Sequence, residues 1–309
     1  MNNQGHLIEL KGQDVMPTNT ADCVYWRSLL FVPANNARYA EKALTSGADA
    51  IIIDLEDSVL DEGKAEARAA IPRLVDELSK TFDNILVRTN RPLSLCVRDI
   101  ETVVCKHVTG IVVAKCAGAE HLAILSELIE EREAALGLPR KHTKLLPLIE
   151  TSDAVARLDE IASSPRVVAI VCGDEDLAAE LGCEPDSETL IAVKHRLVLA
   201  AARRAILPLG LHGSIAEYRD LSRYAHFVER SKAAGLKGTL CIHPNQVSIA
   251  NKGFRPTKGQ LDKAKRVVEA AEAARKTGLG AAGLNGRMID APVLLRAVRM
   301  LKAEKKYAG

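Results

Sequence analysis

Three carboxylates follow directly after an apolar run in the first fifth of the chain. The stretch Ala50–Val59 reads A-I-I-I-D-L-E-D-S-V, so Asp54, Glu56 and Asp57 come after three consecutive isoleucines. A continuous β-branched run predicts a strand buried on both faces of a parallel sheet. Like charges this close repel, so they need a cation, hydrogen-bond donors or shared protons. Functional groups of parallel α/β folds collect at the carboxyl ends of strands, which makes this stretch a candidate active-site floor.

Nearly every other predicted strand also ends in charged or hydrogen-bonding groups. These groups are Asn35, Asn36 and Arg38 after the first strand, Arg88 and Asn90 at the third, Lys115 at the fourth, Glu150 at the fifth, Asp174, Glu175 and Asp176 at the sixth, His212 at the seventh and His243 at the eighth. Carboxylates on neighbouring strands suit a hydrated Mg²⁺ ion, and no His or Cys cluster indicates structural zinc. An Arg can hold a substrate carboxylate through two parallel hydrogen bonds. A metal and an Arg together suit a 2-oxo acid or an enolate.

Each of these groups also has an ordinary structural explanation. Glu150 is compatible with a helix start, where the macrodipole favours a carboxylate, and residues 174–176 with an acidic first turn. Arg88 and Lys115 are compatible with simple ion pairs, and His243 before a proline with a rigid turn. It is their combination that favours an active site.

The elements that position these groups alternate between short apolar runs and longer amphipathic segments. The predicted strands are Ser28–Val32, Ala50–Leu55, Ile85–Arg88, Gly110–Ala114, Leu145–Ile149, Val167–Cys172, Leu207–Leu211 and Thr239–Ile242. The predicted helices are Ala37–Ser46, Gly63–Lys80, Ser94–Lys106, Ala119–Leu136, Ser152–Ile161, Ser187–Ala205, Ile215–Ala234, Lys258–Lys276 and Val293–Lys305. Eight strand–helix units predict an α/β fold of the (β/α)8 TIM barrel type, with a doubly wound open sheet as the main alternative.

Three regions are predicted along the chain. Residues 1–23 form a polar, flexible leader, residues 24–277 the barrel as catalytic domain, and residues 278–309 a C-terminal arm or lid. The arm begins with the glycine-rich stretch Gly278–Gly286, which is unsuited to a helix interior, and continues into the last predicted helix.

Composition narrows the classes of function. The 309 residues carry a formal net charge of +2 and only 3% aromatics, which predicts no nucleic-acid or membrane partner. No segment approaches the roughly 18 apolar residues of a membrane span. The seven cysteines show no C-x-x-C pairing, so we expect reduced thiols and a cytoplasmic location.

Seven motifs, in order, resemble the HpcH/HpaI aldolase/citrate lyase family, and most of all its citrate lyase β-subunit-like branch. They are R-S-L-L-F-V-P-A (Arg27–Ala34), G-A-D-A-I-I-I-D-L-E-D-S-V (Gly47–Val59), V-R-T-N (Val87–Asn90), L-I-E-T (Leu148–Thr151), G-D-E-D-L-A-A-E-L-G (Gly173–Gly182), I-H-P-N-Q-V (Ile242–Val247) and N-G-R-M-I-D-A-P-V (Asn285–Val293). The resemblance runs from about Arg27 to the C-terminal helix.

The resemblance implies a TIM-barrel carbon–carbon lyase that depends on Mg²⁺, or on Mn²⁺ in its place. Such an enzyme cleaves or condenses a 2-hydroxy or 3-hydroxy acyl-CoA thioester, of the citryl-CoA, malyl-CoA or citramalyl-CoA type, through a metal-stabilised enolate. It also implies a homotrimer or a hexamer, or a subunit of a larger lyase complex. Two alternatives remain: an aldolase acting on free 2-oxo acids without CoA, and a non-catalytic binding or complex-assembly protein.

The resemblance also assigns roles to residues. Glu150 and Asp176 correspond to the metal ligands, and Arg88 to the arginine that binds the carboxylate of the acid. The catalytic candidates are the acidic group that orders waters beneath the metal, and an acid that a neighbouring subunit delivers on its C-terminal segment. They are Asp54, Glu56 and Asp57 in the acidic group, and Asp290 on the segment. Arg27 and Arg38 correspond to positions near the CoA phosphates.

Three departures from the family pattern surround the mouth of the predicted barrel. Pro33-Ala34 replaces the usual Pro-Gly, Ala114–Ala117 replaces a P-K-V-E-like end of the fourth strand, and His212-Gly213 replaces Asp-Gly. A glycine after Pro33 would allow a closer ligand approach than Ala34 does. The predicted metal ligands are unchanged, so the departures concern the acyl group and not the chemistry.

Overall fold

The computed structural model describes residues 24–276, 282–284 and 287–308. Within them, eight parallel strands form a nearly closed barrel. The strands are β1 Ser28–Pro33, β2 Ala50–Asp54, β3 Ile85–Thr89, β4 Gly110–Val113, β5 Lys144–Ile149, β6 Ala169–Cys172, β7 Leu207–Leu209 and β8 Thr239–Cys241. Each strand pairs with its neighbour in sequence, β1 pairs with β8, and a bridge from Leu209 to Gly238 joins the remaining edges. This arrangement confirms the predicted TIM barrel, and the strand ends lie within two residues of the predicted ones.

Most helices lie around the barrel, and the last two form a pair with a core of their own. They are α1 Ala37–Ala43, α2 Lys64–Leu78, α3 Leu93–Val103, α4 Ala119–Ala135, α5 Ser152–Ala156, α6 Leu158–Ser163, α7 Asp174–Leu181, α8 Glu188–Arg204, α9 Leu221–Ala234, α10 Pro244–Phe254, α11 Lys258–Lys276 and α12 Ala291–Ala308. None of the helices in the described ranges has the length and apolar character of a membrane span.

The alternation of side chains along β2 separates two layers of core. Ile51 and Ile53 belong to the layer between the strands and the helices, whereas Ala50 and Ile52 fill the inside of the barrel. All five residues of β2 are buried, as the continuous apolar run predicts.

The same alternation selects which polar side chains reach the barrel mouth. Asp54 follows Ile52 by two positions, Arg88 follows Leu86, and Glu150 follows Leu148, and each of those apolar residues lies inside the barrel. Since side chains two positions apart share a face of a strand, the three polar groups form the next layer at the carboxyl end.

The helix that packs beside β8 is α10, which the sequence pattern did not predict. His243 caps it through Nδ1, which accepts the backbone N–H of Asn245, while the Gln246 side chain accepts the N–H of His243. Pro244 occupies the first helical position, where its missing N–H costs no hydrogen bond. The His-Pro pair is therefore a helix start and not a bare turn.

Helix α11 packs with α12 and not against the barrel strands. The two helices enclose a small separate core of Ala264, Val267, Ile289 and Ala297. Short antiparallel strands, β9 Ala282–Leu284 and β10 Arg287–Ile289, lie between them. Helix α11 thus packs with the C-terminal segment, and the boundary predicted at residue 278 stays a prediction. The predicted leader and the rest of the glycine-rich stretch lie outside the described residues.

The far end of α12 returns to the barrel at the amino ends of the strands. The Tyr307 ring lies 4.5 Å from the Arg27 guanidinium, and Glu304 forms an ion pair with Arg255. These contacts fix one end of the arm.

Candidate active site

Arg88 is the centre of the charged layer at the barrel mouth. Its guanidinium donates to both oxygens of Asp54 at 2.7 Å, and its Nη1 donates to Asp57 Oδ2 at 3.0 Å. Nη1 also lies 2.9 Å from Glu56 Oε2, in an ion pair without the geometry of a hydrogen bond. Three of the five guanidinium N–H groups are thus engaged in hydrogen bonds.

Asp54 holds both Arg88 and the loop after β2. The strand register places Asp54 directly beside Arg88. The carboxylate also accepts the backbone N–H groups of Glu56 at 3.0 Å and Ser58 at 3.1 Å. Burial alone would raise the pKa of Asp54, but the hydrogen bonds and charge of Arg88 outweigh it and lower the pKa. Asp54 is therefore an ionised group with both oxygens occupied, which suits positioning and not proton transfer.

Glu56 and Asp57 face the same guanidinium from different environments. Glu56 is buried, and its burial raises the pKa, although Arg88 and Lys115 oppose the shift. The Asp57 side chain is 57% exposed, so breaking its contact with Arg88 costs less free energy than it would for the buried Glu56. Of the two, Glu56 has the environment of a group that exchanges a proton.

Glu150 reaches the centre of the site because residue 173 is a glycine. A Cβ at Gly173 would lie 2.2 Å from Glu150 Cγ, so the Glu150 side chain crosses the space that any other residue would fill. Burial, followed by the negative charges of Asp176 and Glu56, raises the pKa of Glu150 to about 7, while a hydrogen bond from the Lys115 backbone opposes the shift. The Glu150 carboxylate is thus largely buried from solvent and lies beside other acids.

Asp176 belongs to the first turn of α7, which begins directly after Gly173. Its side chain is 43% exposed, and its Oδ1 lies 3.9 Å from Lys115 Nζ. Lys115 also donates from Nζ to Glu56 Oε1 at 3.0 Å and from its backbone to Glu150 Oε2. One residue, Lys115, therefore contacts acids from β2, β5 and α7.

The charges in this cluster suit a divalent cation. Within the described residues, five carboxylates lie in this cluster, those of Asp54, Glu56, Asp57, Glu150 and Asp176, and the ion pairs described for them involve the side chains of Arg88 and Lys115. Among the described residues, no group of three His, Cys, Asp or Glu side chains is arranged to hold a metal ion. That finding argues against a closed protein cage. It is compatible with a Mg²⁺ site of two carboxylates, in which water and substrate supply the other oxygens.

A buried ion pair supports the turn that carries Asp176. Lys194 of α8 is fully buried, and its Nζ lies 3.0 Å from Oδ1 of Asp174, the first residue of α7. His212 is buried near Lys194, and its Nε2 has no hydrogen-bond partner in the described structure. Burial, together with the charges of Lys194, His195 and Arg230, lowers the pKa of His212 to about 4. His212 is therefore neutral at pH 7.

The structure does not bring Arg27 to this cluster. Arg27 precedes β1, and it pairs with Asp49 at 2.6 Å at the amino ends of the strands. A strand of six residues separates it from the mouth by about 20 Å. The expected role of Arg27 near the CoA phosphates stays a prediction.

Arg38 and Asp290 occupy two further positions. Arg38 lies in the first turn of α1, directly after the carboxyl end of β1, and is exposed. Asp290 is exposed in the arm, where Oδ1 accepts the N–H of Val293 at 3.1 Å and so caps α12. None of the contacts described for Asp290 joins it to the Arg88 cluster.

The sequence analysis placed Lys115 among the charged strand ends but gave it no role of its own, and it did not predict the Lys194–Asp174 pair beneath the site. The signal for Lys115 was its position at a predicted strand end. Lys194 lies within an amphipathic helix, where no pattern distinguishes a buried lysine from an exposed one.

Comparison with known proteins agrees with this architecture. Residues 27–244 match the family model for HpcH/HpaI aldolase/citrate lyase. Citrate lyase subunit beta of Escherichia coli (strain K12) is 34% identical over 289 residues, which cover 92% of this chain and 94% of the relative. L-malyl-CoA/beta-methylmalyl-CoA lyase of Cereibacter sphaeroides is 29% identical over 307 residues, covering 90% of this chain and 96% of the relative.

A solved structure provides the same match in three dimensions. CitE of Mycobacterium tuberculosis, in complex with magnesium, acetoacetate and coenzyme A, superimposes with a TM-score of 0.72 at 28% identity. The match covers 91% of this chain and 98% of that one. The chain therefore belongs to the HpcH/HpaI aldolase/citrate lyase family, as its motifs predicted, and is a carbon–carbon lyase of that family.

Proposed function

We propose that this protein is a Mg²⁺-dependent lyase that cleaves or condenses a hydroxyacyl-CoA thioester of the citryl-, malyl- or citramalyl-CoA type. The observation that carries the proposal is the Glu150 carboxylate, held across Gly173 beside Asp176, in the same cluster as the Arg88 guanidinium. Relatives named as citrate lyase and malyl-CoA lyase, and a CitE complex with magnesium and coenzyme A, support it.

Glu150 and Asp176 are the residues that would hold the metal. A bound Mg²⁺ ion would supply Lewis-acid polarisation of the substrate's hydroxyl or carbonyl oxygen. Mn²⁺ prefers the same oxygen ligands and would serve in its place.

Arg88 would bind the carboxylate of the acid and offset negative charge that develops as the carbon–carbon bond breaks. Asp54 keeps the guanidinium in place through its two 2.7 Å hydrogen bonds. Asp57 is the most exposed of the three acids on Arg88, so we assign it the contact that yields to substrate.

Proton transfer falls to Glu56 or Asp290 in this scheme. Glu56 lies inside the cluster and has a raised pKa, which suits exchange near neutral pH. Asp290 would act on a neighbouring copy, since the contact described for it, the cap on the N–H of Val293, does not join it to the Arg88 cluster of its own chain. This role rests on a homotrimer or hexamer, and a monomer in light scattering would exclude it. Arg38, exposed beside the mouth, remains the candidate for a CoA phosphate.

The test is an activity screen of the purified protein with Mg²⁺ and citryl-, malyl- and citramalyl-CoA. We expect turnover of at least one thioester, its loss with EDTA, and its recovery with Mg²⁺. Glu150→Gln and Asp176→Asn should each lower turnover by about a hundredfold or more. The reason is that removal of a metal ligand has a larger effect than removal of a residue that only supports a ligand. Glu66→Gln, an exposed change on α2, is the matched control. Wild-type activity in either ligand variant would refute the assignment of the metal site.

Calorimetry separates this proposal from the CoA-independent aldolase. Acetyl-CoA and propionyl-CoA should bind to the lyase. Pyruvate turnover without binding of either thioester would favour an aldolase on free 2-oxo acids. Failure to bind Mg²⁺ in the presence of an oxo acid would favour a non-catalytic member of the family.

A further inference from the structure

Lys115 contacts the site with its backbone and its side chain in two separate ways. Its N–H donates to Glu150, and its carbonyl accepts from Arg91 Nε at 3.0 Å. The residue has φ of +46°, and the N–H of the following Cys116 donates to Leu148, so the backbone is held on both sides. The side chain, in contrast, is 38% exposed and is fixed only at its ammonium end.

The ammonium lies where the acids are most crowded. Nζ is 3.0 Å from Glu56 Oε1 and 3.9 Å from Asp176 Oδ1. Burial acts to lower the pKa of Lys115, but the hydrogen bond to Glu56 and the nearby acids outweigh it and raise the pKa. The group is therefore a full positive charge among the carboxylates that would face a metal ion.

A divalent cation on Asp176 would be a close neighbour of this ammonium. Like charges at such close range repel, and a divalent ion repels the ammonium twice as strongly as a monovalent one. The ammonium can move away from such a cation, because the Lys115 side chain is flexible and partly exposed. The backbone of Lys115 stays in place.

We propose that the Lys115 ammonium is a built-in competitor of the divalent cation, which balances the acids in the metal-free site and weakens metal binding. This inference rests on the proposed function, since it takes Asp176 as a metal ligand. On binding of the ion, the ammonium leaves Asp176 and keeps its contact with Glu56. Lys115 thereby sets the affinity of the site without being a ligand.

The test is the affinity of the full-length protein for Mn²⁺ alone, measured by electron paramagnetic resonance of the free ion. Lys115→Met retains the backbone N–H to Glu150 and removes only the charge. We expect Mn²⁺ to bind about tenfold more tightly to this variant. Lys115→Gln removes the charge with a polar side chain and should behave alike, while Lys115→Arg should stay near the wild-type affinity.

Lys80→Met is the matched control, because Lys80 is exposed at the end of α2 and its loss changes the net charge equally. We expect an unchanged affinity for it. Equal or weaker Mn²⁺ binding in a folded Lys115→Met or Lys115→Gln variant would overturn the inference.

The same titration distinguishes the two levels of the argument. Asp176→Asn should lose Mn²⁺ binding if the proposed metal site is right. Mn²⁺ binding that survives in Asp176→Asn would refute the metal site itself. Binding that is lost there but unchanged in both Lys115 variants would refute only the competition.

Discussion

Gly173→Ala is a small change whose effect follows directly from the site's geometry. The new methyl group would lie 2.2 Å from Glu150 Cγ, whereas non-bonded carbon atoms prefer about 3.5–4.0 Å. Gly173 has φ of −85°, an ordinary value for any residue, so the backbone carries no strain after the change. The whole effect therefore acts through displacement of Glu150.

The displacement sets the expected size of the effect. Glu150 must retreat by more than about 1 Å, and Mg²⁺ requires its oxygen ligands at about 2.0–2.1 Å. We expect the dissociation constant for the metal to rise by about 10- to 100-fold, which is typical when the support of a ligand is lost. Overpacking should lower the free energy of unfolding by about 1–3 kcal/mol.

The assay combines Mn²⁺ titration, thermal unfolding and steady-state turnover at saturating Mg²⁺. Gly259→Ala is the matched control, since a Cβ at Gly259 in α11 would meet nothing within 4 Å. We expect the control to retain the wild-type metal affinity and to gain up to about 1 kcal/mol of stability, because alanine is the better helix residue.

One result would refute the reasoning. If Gly173→Ala folds and binds Mn²⁺ with wild-type affinity, then Glu150 does not hold the metal from the position that it occupies here. Full turnover at saturating Mg²⁺, together with a weakened affinity for the metal, would agree with the argument. A high metal concentration would then fill the weakened site by mass action.

Two further predictions concern the buried groups beneath the site. Lys194→Met should lower the free energy of unfolding, measured by urea titration, by about 3 kcal/mol, because it leaves the Asp174 carboxylate buried without its partner. The double variant Lys194→Met with Asp174→Asn should regain most of this lost stability. His212 has a lowered folded-state pKa of about 4 against an ordinary 6.5, so the unfolded chain binds its proton first as pH falls. The neutral His212 side chain therefore contributes fully to the free energy of unfolding above pH 6.5, and this contribution is lost as the pH falls toward 4, by about 2 kcal/mol at pH 5. In a His212→Gln variant, the free energy of unfolding should change less steeply with pH. An unchanged slope of unfolding free energy against pH would contradict the lowered pKa.

The strands and the charged layer were largely predictable from the sequence. The apolar runs located all eight strands, and charged or hydrogen-bonding residues follow nearly every run, at the ends where parallel α/β folds collect their functional groups. Asp54, Arg88 and Glu150 come together for that reason, because each occupies the inward-facing position at the end of its strand.

Other features needed the folded chain. The distance of Arg27 from the charged cluster is one of them, because Arg27 precedes β1 and the full length of that strand separates it from the mouth. Helix α10 was missed since its start combines a His cap with a proline, a signal that also fits a simple turn.

What the sequence alone determined is the order of the strands, the inward or outward direction of each side chain, and the family. These depend on neighbours along the chain, where the periods of strands and helices are fixed by backbone geometry. What only the tertiary structure decided is the distance between groups far apart in sequence: Glu150 against Gly173, Lys115 among three acids, and Lys194 on Asp174. Closure of the barrel sets these distances, and with them the balance of charge at the mouth, where we propose the cation site.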